Sequence, residues 1–217
     1  MGKNYEYILF DLDGTLTDSG PGIMNAFAYA IEHMGGQAPG KEQLRHFAGP
    51  PLKVTFGQIL GYSPEDTEKA IGFYREYYNE MGGVFENKVY PGIRELLAEL
   101  KNAGKHLMVA TSKGVHGTTT VLDHFDLRRY FDFVSAAENQ DRAQKTERIR
   151  CALEACGIKD LSLAVMIGDR ENDIDAANQI GIDSIGVLYG YGDREELVSA
   201  GATYLAETAE EVRNLLL

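Results

Sequence analysis

The feature that most limits how this chain can fold is a set of short, uninterrupted apolar runs, each ending abruptly in polar residues. Tyr7-Ile8-Leu9-Phe10 stops at Asp11-Leu12-Asp13-Gly14-Thr15. Runs of the same kind occupy 107–110, 131–134, 163–167 and 184–188, with a weaker one at 202–205. Unbroken apolar strands are what a parallel sheet covered on both faces requires. Helical periodicity fills the gaps between them. Pro91-Gly92 opens a segment with Ile93, Leu96, Leu97 and Leu100 on one face, and Gly104 stands where a C-cap belongs. Further helices are expected near 114–125, 144–156, 171–180, 193–200 and 207–216. Strand alternating with helix predicts an α/β fold built on a doubly wound parallel sheet.

The stretch 17–87 breaks this alternation, since it holds no convincing strand. Ser19 stands where a cap would, with Pro21 in the first turn and Ile23, Phe27, Ala30, Ile31 and Met34 on one helical face before Gly35-Gly36. Ser63-Pro64-Glu65-Asp66 begins a second helix carrying Ile71, Phe73, Tyr74, Tyr77 and Tyr78, which Gly82-Gly83 ends. The expected organisation is an α/β core from 1–16 and 88–217, with 17–87 inserted as a helical cap.

Charge and length exclude several classes. With 21 Lys+Arg against 33 Asp+Glu among 217 residues, the formal net charge is -12, which argues against a nucleic-acid partner. No apolar run approaches the roughly 20 residues needed to cross a bilayer. The N-terminal residues show no signal-peptide pattern, and Cys151 and Cys156, five apart in one expected helix, do not suit a disulfide. A cytoplasmic protein, monomeric or homodimeric, is expected.

Ligands of open α/β sheets bind at the carboxyl ends of the strands. Those ends here deliver Asp11 and Asp13, then Thr111, Ser112 and Lys113, then the polar segment 138–143 with Lys145 at the next helix start, and then Asp169 and Asp173. Carboxylates brought together repel unless a cation compensates, and a hard divalent ion such as Mg²⁺ takes carboxylate and phosphate oxygens. Asp11 and Asp13, two apart, point the same way from an extended backbone, and Asp169 and Asp173, four apart, do so across one helical turn. Gly14 lets the backbone turn beneath a bound phosphate. Lys145 and Ser112 offer a charge and a donor to its other oxygens.

Taken together, Asp11-Leu12-Asp13-Gly14-Thr15-Leu16, Thr111-Ser112, Lys145 and Gly168-Asp169-x-x-x-Asp173 resemble the four motifs of the haloacid dehalogenase superfamily of phosphatases, in the right order and across the whole chain. The resemblance implies a Rossmannoid core with a helical cap. By position, Asp11 would be the nucleophile and Asp13 the general acid and base. Ser112, or Thr111 beside it, would bond a phosphoryl oxygen, and Lys145 would neutralise the transferring group. Asp169 would bind Mg²⁺ with the Asp11 carboxylate and the Asp13 backbone carbonyl, supported by Asp173. Dehalogenases of the superfamily lack an acid at the position of Asp13, so phosphate transfer is favoured.

Other residues are read against plainer roles. Lys113 competes with Lys145 for the same task, and Arg170 suits pairing with nearby acids. His33, His46, His106, His116 and His124 have no metal-ligand spacing, and Cys151 and Cys156 read as packing residues. Tyr74, Tyr77 and Tyr78 read as cap core and rim. The segment Arg45-His46-Phe47-Ala48-Gly49-Pro50-Pro51-Leu52-Lys53 is first a loop, but it resembles the substrate-selecting cap loop of phosphoglycolate phosphatases, with Arg45 or Lys53 toward an anionic substrate. Asp18-Ser19 resembles the hinge into the cap. The expected activity is Mg²⁺-dependent hydrolysis of a small-molecule phosphomonoester, phosphoglycolate phosphatase-like. A 5′-nucleotidase, a sugar-phosphate phosphatase or mutase, and, from a different class, a phospho-acceptor signalling module are the alternatives.

Overall fold

The apolar runs become strands of one parallel sheet. A computed structural model describes residues 3–138 and 144–217, so most of the polar segment 138–143 lies outside the described residues. The strands are β1 (Tyr7–Phe10), β2 (Thr17–Asp18), β3 (Lys88–Val89), β4 (His106–Gly114), β5 (Phe133–Ala137), β6 (Ala164–Gly168), β7 (Asp183–Val187) and β8 (Tyr204–Ala206). Six of them form a sheet in the order β5-β4-β1-β6-β7-β8, and each neighbouring pair is parallel. The central strand β1 has Ile8, Leu9 and Phe10 at 1% exposure or less. That depth is why its sequence is apolar without alternation.

The helices are α1 (Gly20–His33), α2 (Lys41–Arg45), α3 (Pro64–Arg75), α4 (Ile93–Asn102), α5 (Val115–His124), α6 (Lys145–Ala155), α7 (Glu171–Ile180), α8 (Arg194–Ser199) and α9 (Ala209–Leu216). Contacts divide the chain into two compact units, Met1–Thr17 with Val89–Leu217, and Asp18–Lys88. In the first unit, Ile149, Ala152 and Leu153 of α6 and Ala176 and Ala177 of α7 bury against Leu9, Met108, Ala110 and Met166 of the sheet. The strand β5 lies two residues later than the run 131–134 suggests. Asp132 is held outside it, accepting the Leu107 N–H at 3.2 Å and pairing with Lys101 at 2.7 Å, and the strand continues through the small buried residues Ser135, Ala136 and Ala137.

The second unit packs around Phe27 of α1, whose ring meets Phe47, Phe56 and Tyr74 at centroid distances of 5.3, 5.2 and 4.9 Å. Ser63 caps α3 by accepting the Asp66 N–H, whereas the Ser19 side chain at the start of α1 makes no capping hydrogen bond to the helix. Tyr74 and Tyr78 are buried, and Tyr77 donates to Glu86 at the rim, 2.7 Å away. Cys151 is half-buried, but Cys156 is exposed at the end of α6, so it is not a packing residue.

Candidate active site

The register of the sheet sets the site. Phe10 lies opposite Val109 on one side and Ile167 on the other, so Asp11, just past β1, comes level with Ala110 of β4 and with Gly168 at the end of β6. The Asp11 N–H still bonds the Ile167 carbonyl at 2.9 Å, which fixes the direction in which the chain leaves the sheet. Asp169 follows Gly168 directly, and Asp173 sits in the first turn of α7. Among the described residues, Asp11, Asp169 and Asp173 each offer one carboxylate oxygen within 4.8 Å of the others, and all three are buried. Asp169 and Asp173 do not share a helical turn, as their spacing suggested. Asp169 precedes α7, and Asp173 is drawn toward it because its Oδ2 accepts the Arg170 N–H at 3.2 Å, an N-cap interaction.

Lys145, at the first position of α6, reaches into this cluster. Its Nζ lies 2.7 Å from Asp11 Oδ1 and 2.8 Å from Asp173 Oδ1, and it donates to the Ala110 carbonyl at 3.1 Å. Both carboxylate contacts are short, so a single buried ammonium is shared between Asp11 Oδ1 and Asp173 Oδ1. Three buried carboxylates face one ammonium. Burial, with the neighbouring Asp173 and Asp13, pushes the Asp11 carboxyl up to about 6 despite Lys145, and burial raises Asp169 well above the usual carboxylate range. Burial works against the Lys145 charge, yet Asp11 and Asp173 hold its pKa above the ordinary lysine value. Three buried carboxylates sharing one lysine, in an oxygen-only cluster, fit a hard divalent cation.

Asp13 stands apart from that cluster. Lys113 Nζ bonds its two oxygens at 3.2 and 2.9 Å, so the two lysines do not compete: Lys145 serves Asp11 and Lys113 serves Asp13. Thr111 is buried and its Oγ1 accepts the Lys113 N–H at 3.2 Å, while Ser112 is half-buried beside it. Gly14 has φ +89, and a Cβ there would lie 2.2 Å from Asp169 Oδ2, so the position needs glycine on two counts. Arg170 Nε pairs with Glu196 at 2.7 Å. Arg45 and Lys53 belong to the other unit, where both are exposed and Lys53 pairs with Glu68 at 3.3 Å.

The family model for haloacid dehalogenase-like hydrolases matches residues 8–187, which takes in every residue of this cluster. This chain belongs to that family. Among its relatives, a 5′-nucleotidase of Pseudomonas aeruginosa is 37% identical over 213 residues, covering 98% of this chain and 96% of the relative. The Mycobacterium tuberculosis protein named tyrosine-protein kinase PtkA is 36% identical over 218 residues, covering 99% of this chain and 74% of its own length. A crystal structure described as a predicted phosphatase from Clostridium acetobutylicum superimposes with a TM-score of 0.91 at 43% identity, covering 97% of each chain.

One part of this hydrolase site escaped the sequence reading. The loop after β7, Tyr189-Gly190-Tyr191-Gly192, closes over Asp169: the Tyr191 N–H donates to Asp169 Oδ2 at 2.8 Å and the Gly192 N–H to the Asp169 carbonyl at 3.1 Å. Two glycines one residue apart at a strand's carboxyl end were the available signal, since glycine there marks a close backbone approach.

Proposed function

We propose that this chain is a Mg²⁺-dependent phosphatase that hydrolyses small phosphomonoesters through an aspartyl-phosphate on Asp11. The observation that carries the reading is the buried Asp11–Asp169–Asp173 cluster with Lys145 between two of its members. Family membership and relatives of phosphatase name support the reaction class. Asp169, the Asp11 carboxylate and the Asp13 backbone carbonyl would hold the cation, with Asp173 supporting them. When bound, Mg²⁺ offsets the surplus carboxylate charge and draws electron density from the phosphoryl oxygens.

The chain's own residues supply the rest. Lys145 keeps Asp11 ionised and in place, so its carboxylate can attack phosphorus as the bond to the ester oxygen breaks. Asp13 gives a proton to the departing alkoxide and then takes one from a water, which attacks phosphorus and frees Asp11 and inorganic phosphate. Ser112, with Thr111 beside it, donates to a phosphoryl oxygen. The balance is ester plus water to alcohol plus phosphate. Catalysis of this kind is positioning and charge stabilisation, which a rigid sheet edge provides.

For the substrate, Arg45 in its phosphoglycolate phosphatase-like segment favours a small anionic phosphomonoester. A nucleoside monophosphate is the second reading, favoured by the 5′-nucleotidase relative. The test is phosphate release from p-nitrophenyl phosphate, phosphoglycolate, nucleoside monophosphates and sugar phosphates, with Mg²⁺ or EDTA, beside Asp11→Asn. Metal-dependent release that the variant loses while keeping its fold is the expected result. Full activity in Asp11→Asn would refute the nucleophile. A stable acyl-phosphate without release would replace hydrolysis by a phospho-acceptor role.

A further inference from the structure

We propose that a cavity at the edge strand β5 binds a small organic acid, a single carboxylate on a short apolar body. The strand stands at one end of the sheet order, and α5 and α6 complete the cavity wall with it. None of the three clustered aspartates lines it. Its volume is about 330 Å³, at the low end for small-molecule sites. At the roughly 30 Å³ that each water takes in the liquid, the space suits about ten non-hydrogen atoms.

Two polar groups of the wall are left without partners. Arg148 is 5% exposed and Ser135 2%, so bulk water serves neither. Arg148 donates from Nη1 to the Ala136 carbonyl at 2.9 Å, and its Nη2 lies 3.2 Å from Glu147 Oε1. Its Nε has no hydrogen-bond partner, and neither has the Ser135 hydroxyl. Burial without a partner is costly for a charged donor and for a hydroxyl alike. One ligand carboxylate serves both, because its oxygens only accept and these two groups donate. The rest of the wall defines the rest of the ligand. Val115 and Leu122 of α5 and Phe133 and Val134 of β5 are its apolar part. Its charged residues are Arg128, Arg148 and Glu138, a surplus of one positive charge, which a monoanion balances and a phosphate dianion exceeds. Glu147 stands outside the wall with its side chain 44% exposed, where water screens its hold on Nη2. The half-buried Cys151, three residues after Arg148 on α6, also lines the cavity, so its thiol reports occupancy.

The experiment uses the full chain with Cys156→Ser, which leaves Cys151 as its single cysteine. Isovalerate, phenylacetate and their neutral amides are titrated to about 10 mM, and binding is read from the rise in Tm and from slower iodoacetamide alkylation of Cys151. Both acids should bind by both readouts, and the amides about 10- to 100-fold more weakly. Ser135→Ala removes a hydroxyl that bonds nothing in the free protein, so its Tm without ligand should hold or rise, while the acids should bind about 10-fold more weakly. Arg148→Lys, which keeps the charge and loses Nε, should weaken them similarly; if it fails to fold for want of the Ala136 bond, Ser135→Ala still decides. Acids and amides binding alike would make the cavity merely apolar, and unchanged acid binding in Ser135→Ala would place the ligand elsewhere. Either result overturns the proposal, as does the absence of any response to both acids or a clear fall in the ligand-free Tm of Ser135→Ala. No readout depends on phosphate release, so this site and the phosphatase reading stand or fall separately.

Discussion

Lys145 shows how one side chain can hold a site together and leave it incomplete. Its ammonium sits between Asp11 and Asp173, and its exposure of 8% means water screens little of that attraction. Replacing it by Met would keep the bulk and remove the charge, leaving buried carboxylates facing one another. Breaking a buried pair from one side costs about 3–5 kcal/mol. Lys145→Met should therefore lose that order of stability in urea unfolding with EDTA, and less with Mg²⁺, since the cation takes over part of the compensation. Phosphate release in the presence of Mg²⁺ should fall too, because the cation would not hold Asp11 from the Lys145 side.

At the scale of elements, the site depends on how tightly β6 turns into α7. A Cβ on Gly168 would lie 2.2 Å from Asp173 Cγ, so the last residue of the strand is pressed against the first turn of the helix. Gly168→Ala needs no unusual backbone angle but forces Asp173 or α7 to move, and overpacking of this kind costs roughly 1–3 kcal/mol. The variant should unfold at lower urea and respond less to Mg²⁺, both measurable by thermal and urea unfolding. The same junction marks where spacing misled. A four-residue interval reads as one helical turn, but the chain reaches α7 only after Asp169, and the N-cap bond from Arg170 to Asp173 brings the carboxylates together. Likewise β5 takes only Phe133 and Val134 from the run 131–134 and continues through the small buried residues Ser135, Ala136 and Ala137, which an apolar-run reading passes over.

For the whole molecule, the acidic cluster couples stability to pH and, on the proposed reading, to metal. Asp11, raised by burial to about 6, binds a proton more readily folded than unfolded. Its contribution to stability is full below its unfolded value near 4 and is lost as pH rises through 6; Asp169, also raised by burial, acts in the same sense. In EDTA that contribution should shrink between pH 4 and 7. As the proposed ligand of the ionised form, Mg²⁺ should give a larger increment in Tm at pH 7.5 than at pH 5, a comparison that differential scanning fluorimetry makes directly. An equal increment at both would disconnect the cluster from the cation.

Much of this was legible from residues alone. Unbroken apolar runs determine a parallel sheet, because only strands covered on both faces can be apolar throughout, and the ends of those runs name the acids and lysines. Local pattern also marks the helices, through their caps and apolar faces. Contacts between residues distant in sequence are a different matter. Which lysine meets which aspartate, 134 positions apart for Asp11 and Lys145 and 100 for Asp13 and Lys113, was decided by the register of β1, β4 and β6 and the placement of α6. The hold of Tyr191 and Gly192 on Asp169 was decided in the same way, since backbone N–H groups carry no sequence signature and only folding brings that loop to that carboxylate.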